Sequence, residues 1–167
     1  MPSLRQFISC AGPIFGMSGD SCRELGRAIH REMPFHDGSA KPVATPLQAA
    51  QLVLGALAGG PQCQAGERVR RLSGAEPVGP APQRCAITGA TFLIDALFQI
   101  MTRPEILAGI DRVEVIHDDE AARIVSKSGA TTIFVGHVYL GESGVTTVTA
   151  IGGDALAQIA NLLVSVA

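Results

Sequence analysis

Apolar positions recur at helical spacing through the first 72 residues and alternate along much of the rest. Leu4, Phe7, Ile8 and Ala11 recur as on one helix face, behind Ser3 as N-cap, and Pro13 ends that helix near Ala11 or Gly12. Cys22, Leu25, Ile29 and Met33 mark a second helix. Ser21 with Glu24 has the form of a capping box, Ser18 is an alternative cap one turn earlier, and Pro34 stops the helix. Thr45-Pro46 with Gln48 opens a third, whose expected buried stripe is Leu47, Ala50, Val53, Leu54 and Leu57. A short helix follows over about 62–72, ending in RVRRL.

Residues 73–83 (SGAEPVGPAPQ) hold three prolines and two glycines without apolar periodicity, which reads as a linker. Beyond it, 91–101 predicts a largely buried helix. Residues 112–116, 121–126, 131–140 and 145–151 then predict three or four mostly antiparallel strands, and GGDALAQIANLL predicts a last helix. The expected fold class is α+β. A helical domain over 1–72 leads through the linker to a helix, a three- to four-stranded antiparallel sheet and a helix over 84–167.

The polar positions sharpen this picture. On the second helix Arg23, Arg27 and Arg31 stand at i, i+4 and i+8, opposite the apolar stripe, with His30 beside them and Lys41 in the loop beyond. Planar guanidinium groups suit phosphates and guanine edges, so these five residues are the candidate DNA contacts; the bland alternative is a solvated face that Glu24 and Glu32 partly neutralise. Charge points the same way. Residues 1–72 carry eight basic and five acidic groups, a balance of +3, whereas 73–167 carry five and ten, a balance of −5. An anionic partner would meet the first part. Arg68, Arg70 and Arg71 fit either phosphate contact or a helix C-terminus.

Other chemistry finds less support. Aromatics make up 4% with no Trp, which counts against single-stranded nucleic-acid and sugar binding. Cys10, Cys22, Cys63 and Cys85 form no CxxC pair, so reduced, mostly buried thiols are expected in a cytoplasmic protein. His117-Asp118-Asp119-Glu120 is dense in metal-capable groups, but consecutive strand residues point in opposite directions, so a solvated turn is expected and no metal. His137, within an apolar run, reads as a core or interface histidine. With no GxSxG, P-loop or GxGxxG, the reading is no enzyme and no cofactor. The opening MPSLRQF reads as no signal peptide, and no stretch reaches a membrane span's length.

The segments MPSLRQFI, GRAIHREMPF and ATPLQAAQLVLGAL resemble a group of small helix-turn-helix proteins of temperate phages, prophages and gene-transfer elements. The last helix, GGDALAQIANLL, is similar to that group's C-terminal segment. The resemblance implies a helix-turn-helix N-terminal domain and a transcriptional regulator that binds double-stranded DNA in the cytoplasm of a bacterial host. The loop HDGSAKP departs from the group's basic, glycine-rich pattern by offering only Lys41 and one Gly. That leaves room for an accessory or inhibitor protein whose partner is a host or phage protein. Two apolar helices flanking a small sheet point to a homodimer held by the second unit.

Overall fold

The computed structural model describes residues 2–34, 43–79, 83–117, 120–136 and 147–165. Lys41, Asp118, Asp119 and His137 lie outside them. The chain begins as its pattern anticipates. Helix α1 (Leu4–Ala11) is capped by a reciprocal pair, Ser3 with Gln6, and passes into a 3-10 turn over Gly12–Phe15. Helix α2 (Gly19–Glu32) starts one turn before the Ser21 box. The Ser18 hydroxyl accepts from the Ser21 amide at 3.1 Å, and Asp20 then lies in the first turn, where a carboxylate complements the helix dipole.

Helix α3 (Pro46–Leu57) has the expected Thr45–Gln48 capping box. Its expected stripe is corrected in one respect. Leu47 is exposed, while Gln48 to Gly55 are all buried, so this helix is enclosed on every side instead of along one stripe. A 3-10 turn (Gln62–Gln64) leads into α4 (Ala65–Ser73). There Gly66 sits against the Ala28 carbonyl of α2, an approach that leaves no room for a Cβ.

The described part of the expected 73–83 linker, residues 73–79 and 83, includes regular structure. Glu76–Pro77 form strand β1, Ala75 is fully buried, and its carbonyl accepts from the Leu93 amide at 3.0 Å. Helices α5 (Leu93–Thr102) and α6 (Pro104–Ala108) follow, then β2 (Ile110–Ile116), β3 (Ala121–Ser126), β4 (Thr131–Val135), β5 (Val148–Gly152) and α7 (Gly153–Ser165). Among the described residues the sheet therefore has five strands, not three or four, in the order β1-β4-β3-β2-β5, antiparallel throughout. The extra strand had no readable pattern, because two residues cannot show alternation and its hydrogen bonds come from β4, far along the chain.

Alternation sorts the sheet into two faces. Val113, Val115, Ala122, Ile124, Phe134 and Ile151 turn inward, where α7 and α3 lie against β2 and β5. Helix α3 also meets α2, α4 and α5, and it is the axis around which the helices gather. Phe7, Leu25 and Leu54 belong to the same buried cluster as Leu97, Ile124 and Leu156, so one core runs across residues 73–83. The mixed α+β class is as expected.

Candidate nucleic-acid interface

Helix α2 is held by its apolar side. Cys22, Leu25, Ala28 and Ile29 are buried against α1, α3 and α4, which fixes the direction in which the arginine stripe points. Arg27, His30 and Arg31 are exposed on the outer side. Arg23 is different. One of its guanidinium nitrogens contacts the Asp20 carboxylate and another donates to the Ser9 hydroxyl at 3.4 Å, so it staples α2 to α1. The stripe thus delivers two outward arginines and one tethered one.

The electrostatics of α2 are local. Asp20, Glu24 and Glu32 match Arg23, Arg27 and Arg31 in number, so the helix has no net charge with histidine neutral. Its positive groups concentrate toward the C-terminal half, where His30 and Arg31 also complement the dipole. Successive arginines four residues apart rise about 6 Å along the axis. Lys41 lies outside the described residues, so the five sequence candidates reduce to a cluster of three on one exposed face.

The connections around α2 bear on how it could meet DNA. Residues 12–18 separate α1 from α2, and residues 33–45 separate α2 from α3. Both are longer than the three- or four-residue turn of a helix-turn-helix unit. Since α3 is enclosed, α2 is the helix of that pair that presents a polar face.

Arg68, Arg71 and His117 have structural partners. Arg68 donates to the Pro61 carbonyl at 2.8 Å and packs over Gly60. Arg71 pairs with Glu120 at 2.7 Å, tying α4 to the turn between β2 and β3. Glu120 has a φ of 45°, the one non-glycine residue with positive φ among those described. His117, expected in a solvated turn, is half-buried, with its Nε2 2.6 Å from the Thr149 hydroxyl. Among the described residues no cluster of three or more His, Cys, Asp and Glu side chains could hold a metal. The expectation of mostly buried thiols needs correction: Cys22 and Cys85 are buried, but Cys10 and Cys63 are exposed, and none is in a disulfide.

An ionic group that the sequence reading did not single out lies on the outer face of the sheet. Glu114 of β2 is 5% exposed and is gripped from both sides by Arg112 and Arg123. Burial by itself would raise its pKa, but the hydrogen bonds and charges of the two arginines prevail and hold it below the usual carboxylate value. The cross-strand Glu114–Arg123 pairing was the available signal, hidden because register cannot be read from one strand.

No protein family, curated protein or solved structure matches the chain. No helix among the described residues is long and apolar enough to cross a membrane.

Proposed function

We propose that the chain binds double-stranded DNA through the outer face of α2 and acts as a phage-type transcriptional regulator. The observation that carries this reading is the exposure of Arg27, His30 and Arg31 together on a helix whose opposite side is locked into the core. Arg27 and Arg31 donate to backbone phosphates, and His30 lies between them on the same exposed face. Arg23 positions the helix through Asp20 and Ser9 and does not reach the DNA. Lys41 supplies a further cation from the segment after α2. Because both connections around α2 are long, the helix-turn-helix likeness is a matter of role. The contact is mainly one of positioning on the backbone, with direct base reading secondary.

The test is binding of the full chain to duplex DNA across a salt series. Affinity should fall steeply with salt, and Arg27→Ala with Arg31→Ala should weaken binding and flatten that dependence. Unchanged binding and slope in the folded double variant would remove α2 from the interface.

A second reading rests on the matched charges of α2, which limit its long-range attraction for DNA. Here the chain is an accessory or inhibitor protein that engages a host or phage protein through its acidic C-terminal part, without catalysis. Pull-down from host lysate with and without nuclease separates the two. Retained DNA supports the first reading, and one co-purifying protein that survives nuclease supports the second.

A further inference from the structure

Strand β5 borders the sheet, and among the described residues no strand lies on its far side. Its register reveals where its backbone groups point. The His117 amide donates to the Thr147 carbonyl at 3.0 Å, one position beyond the Ile116–Val148 pair. Hydrogen-bonded and non-bonded pairs alternate along an antiparallel ladder, so Thr149 and Ile151 also turn their N–H and C=O toward β2. The N–H and C=O groups of Val148 and Ala150 and the N–H of Gly152 therefore point off the border, while the Gly152 C=O opens the hydrogen-bond ladder of α7; all three residues are exposed.

The two borders of the sheet are built differently. The opposite one is β1, two residues long, carrying a charge at Glu76 and no N–H at Pro77. Short edge strands, charges and prolines are the usual means of keeping an edge from pairing. From Val145 to Gly153 the chain has no charged residue and no proline. One border is blunted and the other is bare.

We infer that β5 pairs antiparallel with β5 of a second copy, about a two-fold axis through Ala150, joining two five-stranded sheets into one. The second copy is the occupant that fits because the border is complementary to its own reversed image. Ala150 then opposes Ala150 and the two exchange a pair of N–H···O=C bonds, while Val148 opposes Gly152, whose N–H meets the Val148 C=O. The side chains at the axis are methyl groups and hydrogen atoms, leaving each Val148 room over a glycine. No charge is brought to the axis, since the nearest ionic side chain in register is Glu114, which Arg112 and Arg123 already hold. Two-fold pairing is also the commonest arrangement of soluble oligomers. The inference is independent of the DNA reading and holds or fails without it.

Three measurements on the full chain test it. Light scattering should give a dimer for the unchanged protein. Ala150→Pro removes one outward N–H while sparing the ladder to β2, and Ala150→Lys sets two ammonium groups opposite each other; both should give folded monomers. In the unchanged protein the amides of Ala150 and Gly152 should exchange with solvent about tenfold or more slowly as concentration rises through the dimerisation range. A monomeric unchanged protein, a dimer in either folded variant, or fast exchange of those amides at every concentration would overturn the inference. The exchange measurement needs no substitution, so it decides even if a variant fails to fold.

Discussion

The imidazole of His117 lies directly over the α-carbon of Gly59. Gly59 has a φ of +59° in the turn that ends α3, while His117 stands just past the end of β2 and is anchored to Thr149 beside β5. This contact joins the enclosed helix to the sheet at a place where no side chain on the helix would fit. Position 59 needs glycine twice over, for its backbone and for its neighbour.

Gly59→Ala should therefore destabilise the fold by about 1–3 kcal/mol through left-handed strain and displacement of the imidazole. In a His117→Ala background the second cost disappears and the first remains. Urea unfolding of the two single variants and the double variant should show an interaction energy of about 0.5 kcal/mol or more. Strict additivity would mean that the imidazole does not constrain position 59.

The Glu114 carboxylate predicts a pH dependence with a definite sign. Its pKa is depressed in the folded state, so its contribution is fully present above the unfolded-state value near 4.3 and is lost as pH falls toward the lower folded value. Stability should decline from about pH 5 downward. Glu114→Gln removes that titration and leaves two arginines facing each other, 43% and 36% exposed and so able to turn to water. A loss of about 1–2 kcal/mol at neutral pH is expected, with a shallower decline in acid. Denaturant titrations at pH 7 and pH 4 check both. An equal acid decline in the two proteins would assign it to other carboxylates.

What the chain disclosed in advance divides by the range of the interactions concerned. The Ser3–Gln6 and Thr45–Gln48 caps, the inner side of α2 and the strand patterns of β2 and β3 depend on residues a few positions apart, and they were legible. Strand β1 exists because β4 pairs with it, and the prolines and glycines in and around it disguised it as a linker. Helix α6, five residues long with Pro104 at its start, is too short for a period. At the candidate site the outward direction of Arg27 and Arg31 followed from spacing. The tether of Arg23 to Asp20 was three residues away and could have been noticed, whereas Arg71 pairs with Glu120 only through the fold.

The thiols should fall into two classes. Cys10 and Cys63 are exposed, while burial pushes the Cys22 thiol up to about 11 and encloses Cys85, whose sulfur accepts from the Thr88 amide at 3.4 Å. Since the thiolate is the reacting species, a disulfide reagent at neutral pH should modify Cys10 and Cys63 rapidly. Cys22 and Cys85 should react only as the protein unfolds. Mass spectrometry of the modified peptides reads this directly, and rapid labelling of Cys22 in folded protein would contradict the packing of α2 against the core.

The three arginines of α2 should behave unequally toward DNA. A cation that contacts a phosphate displaces condensed counterions, so its removal lowers the slope of log affinity against log salt by about 1. Arg27 and Arg31 project from the outer face, and each should lower the slope by that amount when replaced with alanine. Arg23 is spoken for by Asp20 and Ser9, so Arg23→Ala should leave the slope nearly unchanged and reduce stability slightly by loosening α2 from α1. Asp20→Ala gives the complementary result: it frees the Arg23 guanidinium and removes a nearby negative charge, so DNA affinity should rise. Fluorescence anisotropy with a labelled duplex at several salt concentrations measures all four variants. Equal slope losses for all three arginines would show that the Arg23 tether opens on binding. No loss for Arg27 and Arg31 would remove α2 from the DNA and leave the protein-binding reading in its place.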